Sequence, residues 1–224
     1  MGATNWSGVR ERVEALARAD EERKGFGAWD WYGGAGHHFW LAVPLSESEV
    51  AEAEAQWGVS LPVDYRAFLL EVGAGGAGPG YGLTILVRSD ARWLWTDPGG
   101  GTVHERLRFP FPGGEENVPA QAGHESKEPA ESDFADEAAF RGAYRVWLEE
   151  DERLFDCFSS GAVCLSHEGG GSFHWLVVSG PQGGQVWLDD RPGDGRFRPL
   201  GEVGFAEWYL DWVEKSEAAV RRAC

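Results

Sequence analysis

Histidine and carboxylate side chains that could bind a metal ion occur at four places in the sequence. These are His37-His38, His167-Glu168, His174 and Asp189-Asp190. Zinc and calcium are usually held by such side chains. Their spacing is unfavourable for a shared site, because neighbouring residues on an extended strand point to opposite faces of the sheet. A metal-dependent hydrolase that uses His167 and Asp190 is therefore only an alternative, and our main prediction is a protein without a metal or other cofactor.

A glycine pattern that resembles a nucleotide-binding motif lies at Gly73, Gly75 and Gly78. In dinucleotide-binding folds this GxGxxG pattern follows a strand and opens a helix. Here it follows a predicted helix, and a turn with positive φ angles explains the glycines better. The sequence contains no P-loop lysine signature and no G-x-S-x-G nucleophile elbow. Because the serines near His167 and His174 also lie in no motif that exposes a nucleophile, we predict that the protein is not an enzyme.

The cysteines and the hydropathy pattern bear on the cellular compartment. Cys157, Cys164 and Cys224 match no zinc or thioredoxin spacing, and an odd number argues against a disulfide framework. No apolar run is long enough to cross a bilayer. The N-terminal segment lacks the residue order of a secretory signal. We therefore expect a cytoplasmic protein.

The net charge indicates which partners the protein attracts. The chain has 37 acidic and 20 basic residues, a formal net charge of −17 and a pI near 4.7. Such a field repels the phosphates of nucleic acid and the anionic surface of a membrane. It attracts a basic partner and can raise its association rate ~10- to 1000-fold. We predict no nucleic-acid and no membrane partner; acidity that serves solubility alone is the alternative.

The spacing of apolar residues along the chain predicts an α+β protein. Five helices are expected from apolar residues at helical spacing, with stripes that begin at Trp6, Val50, Tyr65, Phe140 and Phe205. Ser46 and Glu49 form a capping box that opens the second helix. Strands are predicted at Leu83–Val87, Ala162–Leu165, Phe173–Ser179 and Gln185–Asp189.

The connections and the length define the expected fold. Short glycine-rich turns between the last three strands favour antiparallel hairpins. A stretch at 25–36, rich in glycine and aromatic residues, is expected to be irregular, and residues 97–132 are expected to form a loop insertion. We predict a single domain over residues 1–224: a mostly antiparallel sheet of hairpins flanked by about four to five helices.

Two blocks of the sequence resemble the SUKH superfamily, also called the SMI/KNR family. The first reads EAQWGVSLPVDYRAFLLEVG, followed by GGAGPGYGL; the second reads SHEGGGSFHWLVVSGPQGGQVWLDDR. Phe205, Trp208, Tyr209 and Trp212 are similar to the closing helix of the family. The resemblance implies the α+β fold and a bacterial immunity protein that binds the C-terminal domain of a cognate polymorphic toxin. It further implies that the toxin is often a nuclease or a nucleic-acid deaminase, and such enzymes tend to be basic.

Acidic side chains at the end of the fourth predicted helix, at the end of a predicted strand and on the outer face of the last helix are candidate contacts with this toxin. They are Glu149, Glu150, Asp151, Glu152, Asp189, Asp190, Glu207, Asp211 and Glu214. The alternative for each is a solvated surface residue. A non-enzymatic regulatory protein-interaction module is the other function that the resemblance leaves open. A monomer is the favoured oligomeric state.

Overall fold

The computed structural model describes residues 4–23, 37–97, 100–102, 104–113, 118–191 and 196–222. Within these ranges the chain forms six α-helices: α1 (Val9–Arg23), α2 (Glu47–Trp57), α3 (Val63–Glu71), α4 (Val118–Glu125), α5 (Glu137–Phe158) and α6 (Phe205–Arg222). The strands are β1 (Ile85–Ser89), β2 (Arg92–Asp97), β3 (Gly100–Thr102), β4 (Ala162–Gly169), β5 (Ser172–Val177), β6 (Gln185–Asp189) and β7 (Phe197–Gly204). The predicted irregular stretch at 25–36 and Cys224 lie outside the described residues.

The strands form two antiparallel sheets. The first has the order β1-β2-β3 and the second the order β4-β5-β6-β7, so every strand pairs with its neighbour in sequence. The α+β class and the antiparallel hairpins are therefore confirmed. All five predicted helices are present, and a sixth, α4, lies inside the segment that was expected to be a loop. Part of that segment is built into the fold, since β3 pairs with β2 and Leu107 and Phe111 are buried.

Aromatic packing joins α3, α6 and the segment before α1 into the main core. The Phe68 ring of α3 lies 5.4 Å from that of Trp6, 5.2 Å from Phe205 and 4.8 Å from Tyr209. All four side chains are at most 2% exposed. Burial of each large ring stabilises the fold by about 1.5–3 kcal/mol, so the apolar stripes predicted from the sequence are what hold α6 against α3. Among the described residues, no helix is both long and apolar enough to span a bilayer.

The glycine-rich segment, residues 73–82, connects the helices to both sheets. Gly76 bridges to Leu41 on one side and to Leu83 on the other, and the Tyr209 hydroxyl donates to the Ala77 carbonyl at 3.0 Å. A positive φ angle occurs at Gly75, as predicted, and also at Gly76, Gly80 and Gly82.

Gly73 and Gly78 do not have positive φ, so the prediction is wrong for these two. Glycine is required at these two positions because neighbouring atoms leave no room for a Cβ atom. A Cβ at Gly73 would lie 2.7 Å from the Ala42 carbonyl oxygen, and one at Gly78 would lie 2.7 Å from Leu83 Cγ.

The predicted capping box opens α2. The Ser46 hydroxyl accepts from the Glu49 N–H at 3.3 Å, and the Glu49 carboxylate accepts from the Ser46 N–H at 2.7 Å. We expect Ser46→Ala to lower the free energy of unfolding by about 1 kcal/mol, because a helix N–H loses its acceptor. Urea unfolding followed by tryptophan fluorescence measures this change. Ser60→Ala, at an exposed serine, is the control and should stay within about 0.5 kcal/mol of wild type; equal losses in both variants would contradict the assignment.

Candidate functional site

An open cavity of about 550 Å³ lies between the two sheets and the C-terminal end of α5. This volume falls within the range of about 300–1,000 Å³ that is usual for binding pockets. The cavity has an aromatic lining from Trp95, Phe155, Phe173 and Trp175, and a charged lining from Glu105, Arg106 and Asp156.

The pleat of the second sheet determines which side chains reach the cavity. Successive residues on a strand point to opposite faces. Phe173 and Trp175 on β5 and Cys164 on β4 line the cavity. His174, between the two aromatic residues, points to the opposite face, where its ring lies 5.1 Å from that of Trp208 on α6. One face of this sheet therefore packs against the helices of the main core, and the other face lines the cavity.

His104 is packed edge-on between two tryptophans at the cavity. Its ring centroid lies 5.3 Å from that of Trp95 and 6.2 Å from that of Trp175, at interplanar angles of 69° and 84°. Within the described part of the chain, its buried Nε2 atom has no hydrogen-bond partner. Burial lowers the pKa of His104 to about 4, because a charged imidazolium would lose its hydration here. The imidazole is therefore neutral at pH 7.

Asp189, which the sequence predicts as an exposed contact residue, is buried, with an exposed fraction of 3%. Its two carboxylate oxygens accept from Arg191 Nε and Nη2, both at 2.7 Å. The same guanidinium lies 5.6 Å from the Phe155 ring, 5.5 Å from Phe158 and 5.6 Å from Phe197. The charge of Asp189 is thus neutralised inside the contact between α5 and the second sheet, and this residue is not part of an acidic surface.

Ser166, His174 and Glu168 lie close together but do not form a catalytic relay. The Ser166 hydroxyl is 3.3 Å from His174 Nδ1, and the Glu168 carboxylate is 2.9 Å from the same Nδ1 atom. A serine–histidine–carboxylate relay needs the hydroxyl and the carboxylate on opposite ring nitrogens. The arrangement therefore cannot move a proton from the serine to the histidine with the carboxylate behind it.

The other candidate metal ligands are engaged separately. His38 Nδ1 lies 2.7 Å from the Asp20 carboxylate, and Asp190 accepts from the Ser172 hydroxyl at 2.6 Å. Within the residues that the structure describes, no three or more histidine, cysteine, aspartate or glutamate side chains are grouped so that they could hold a metal ion.

The sequence profile of the SMI1 / KNR4 family (SUKH-1) matches residues 44–207. The chain belongs to this family. The matched region runs from just before α2 into the first turn of α6, so it includes both sheets and the cavity. No curated protein and no solved structure matches the chain significantly. SUKH proteins are known as immunity proteins.

In this SMI1/KNR4 family member, the four predicted contact residues of α5 lie on the surface. Glu149, Asp151 and Glu152 are exposed, whereas Glu150 is partly buried. Glu150 forms an ion pair with Arg153 at 2.6 Å. This pair lowers the pKa of Glu150, mainly through its hydrogen bond with the guanidinium. The carboxylates of α5 therefore differ in solvent exposure and in ion pairing, and so in their availability for contact with a partner protein.

The predicted contact residues of α6 form a second group. Glu207, Asp211 and Glu214 are exposed on the outer side of this helix, and Asp211 pairs with Lys215 at 2.6 Å. Helix α6 packs against α1, α3, β6 and β7, whereas α5 packs against α4. The two acidic groups of this SMI1/KNR4 protein thus lie on helices with different neighbours.

Two acidic residues at the cavity were not among the sequence predictions. Asp156 lies on α5 one turn after Glu152 and two turns after Glu149, a helical spacing that could have revealed it. We call Glu149, Glu152 and Asp156 the α5 acidic face. Glu105, whose side chain is 77% exposed, comes from the loop between β3 and α4. No local pattern in the sequence brings this residue to the cavity.

Proposed function

We propose that this protein is a bacterial immunity protein that binds a cognate toxin domain through an acidic surface and blocks it without catalysis. The observation that carries the proposal is the match over residues 44–207 to a family known for immunity proteins. The net charge of −17 supports a basic partner. A nuclease or nucleic-acid deaminase must bind polyanionic substrates and therefore presents lysine and arginine. The complex forms in the cytoplasm, where such a toxin meets its substrate.

The charge also suits the kinetics that immunity requires. Complementary fields raise the rate of encounter more than they raise the final affinity. An inhibitor that associates quickly captures the toxin before nucleic acid does. Because exposed charges are screened by salt, the association rate should fall as ionic strength rises.

We place the contact on the α5 acidic face rather than on α6. Ion pairing does not separate the two groups: within the described residues Glu149 lies 3.8 Å from Arg145 on α5 and Asp211 lies 2.6 Å from Lys215 on α6. What distinguishes the α5 acidic face is an exposed aromatic ring beside its carboxylates. Phe155, 39% exposed, lies on α5 one turn after Glu152 and next to Asp156, and offers an apolar anchor. An aromatic side chain surrounded by charged residues is a common centre of binding energy in protein interfaces.

Co-expression with a toxin domain encoded beside this gene tests the proposed function. The wild-type protein should restore growth and co-purify with the toxin. If no complex forms and growth is not restored, the proposal is wrong.

Two triple variants then locate the surface. Glu149→Gln/Glu152→Gln/Asp156→Asn should lower the association rate about 10-fold at 50 mM NaCl and reduce its dependence on salt, because the steering charge is lost. Glu207→Gln/Asp211→Asn/Glu214→Gln removes the same formal charge from α6 and is the matched control. Stopped-flow mixing at 50 and 300 mM NaCl measures both rates. If the association rate falls more in the α6 variant than in the α5 variant, the contact surface is on α6 and the assignment to α5 is wrong.

A further inference from the structure

We infer that the cavity between the two sheets is a socket for an arginine side chain at the tip of a partner's loop. That the partner is a toxin depends on the proposed function; the chemistry of the socket does not. The inference combines an aromatic lining, an excess of negative charge at the opening and a volume that fits a side chain of this size.

The aromatic lining is arranged to accept a flat cation. Phe155 and Phe173 have exposed ring surface, whereas Trp95 and Trp175, which are 1% and 4% exposed, close the base of the cavity. A guanidinium group stacks on aromatic faces and is more weakly hydrated than an ammonium group. Phe155 already has one guanidinium beside it, because Arg191 lies 5.6 Å from its ring centroid.

The charged residues at the cavity favour a cation over an anion. Glu105 and Asp156 supply two carboxylates on exposed side chains. Glu105 also lies 3.8 Å from the Arg92 guanidinium, a long ion pair between two exposed side chains that contributes little and that an entering guanidinium can displace. Among the described residues that line the cavity, Arg106 is the only one with a positive charge. Its guanidinium already has partners: Nε donates to the Ser160 hydroxyl at 2.7 Å, and the group lies 5.0 Å from the centre of the Phe109 ring. An acidic ligand would be repelled by both carboxylates.

His104 adds no positive charge to the cavity at neutral pH, because its ring is packed between two tryptophans. An arginine that enters therefore meets two carboxylates, neutral rings and the guanidinium of Arg106, which is held by Ser160 and the Phe109 ring. Arginine is preferred over lysine because its planar fork of N–H groups can donate to a carboxylate with two parallel hydrogen bonds while its face stacks on a ring. The cavity of about 550 Å³ has room for this side chain and for neighbouring atoms of the loop that carries it.

A small-molecule probe tests the socket without any toxin. We would titrate the ¹⁵N-labelled full chain with N-acetyl-arginine amide and follow the indole N–H signals of Trp95 and Trp175. The Trp175 indole N–H has no hydrogen-bond partner within the described residues, so its signal should respond to a nearby cation. N-acetyl-norleucine amide, with a shorter and uncharged alkyl side chain, is the control probe. Saturable shifts with the arginine probe and none with the norleucine probe are expected.

Charge removal at the opening provides the second arm of the test. Glu105→Gln/Asp156→Asn should weaken binding of the arginine probe about 10-fold, since charge-assisted hydrogen bonds are lost. Glu207→Gln/Asp211→Asn removes the same formal charge from α6 and should leave binding unchanged. The absence of saturable shifts, an equal response to the norleucine probe, or equal losses in the two double variants would each overturn the socket. If the probe binds but no toxin is captured, the socket stands and the proposed function fails.

Discussion

Gly75→Ala is expected to lower the free energy of unfolding by more than about 3 kcal/mol, the largest loss that we expect from a single substitution. The φ angle of Gly75 is +137°, which an L-residue with a side chain rarely adopts. A Cβ atom here would collide with the Thr84 carbonyl oxygen and lie 2.8 Å from Ile85 Cα. Both neighbours are backbone atoms, one just before β1 and one at its first residue, so they cannot rotate away. Urea unfolding followed by tryptophan fluorescence measures the loss.

Gly142→Ala is the matched control for this prediction. Gly142 lies inside α5, and a Cβ atom there meets no heavy atom within 4 Å. Alanine should therefore raise the free energy of unfolding by about 0.5–1 kcal/mol, because glycine is the poorer helix former. Changes of opposite sign at the two positions are expected. If both variants unfold like the wild type, the close approach around Gly75 is not what the structure indicates.

The second large effect is a loss of stability in mild acid caused by two buried histidines. Burial lowers the pKa of His37 and that of His104 to about 4, whereas an unfolded histidine titrates near 6.5. Below pH 6.5 the unfolded chain therefore binds protons that the folded protein does not, and stability falls as the pH falls towards 4. Each histidine contributes a loss of up to about 3 kcal/mol over this interval.

His104→Phe and His37→Gln separate this effect from other titrations. Each variant removes one titrating imidazole, so the free energy of unfolding should fall less steeply between pH 6.5 and 4 than in the wild type. Carboxylates titrate in the same interval, but they are common to all three proteins and cancel in the comparison. Between pH 7 and 8 the three profiles should run parallel. Parallel profiles throughout the acid range would contradict the prediction.

The sequence predicted most of the local structure, because helix and strand periodicities and caps are local signals. Ser46 and Glu49 identified the start of α2, and the stripe from Phe205 identified the buried side of α6. Strand β7 was missed, since its sequence FRPLGEVG contains a proline and two glycines and shows little alternation. Its pairing with β6 supplies what the local sequence does not.

The candidate site was less predictable, because it depends on contacts between distant parts of the chain. The acidic run on α5 was visible, but its relation to Glu105 was not. Asp189 was expected at the surface, yet Arg191 and the end of α5 cover it. A carboxylate has the same local sequence whether it is solvated or paired, so only its tertiary neighbours distinguish the two states.

By itself, the sequence determined the family, the net charge, the α+β class and the apolar faces of α1, α2, α3 and α6, since each of these follows from composition or from short-range spacing. On α5 the predicted stripe is only partly buried, and Leu148 is 41% exposed. Only the tertiary structure decided that residues as far apart as Trp95, Glu105, Asp156 and Trp175 surround one cavity. It also decided that His104 stays neutral there at pH 7. The physical reason is that periodicity specifies which side of an element is buried, whereas the packing of one element against another specifies what that side meets.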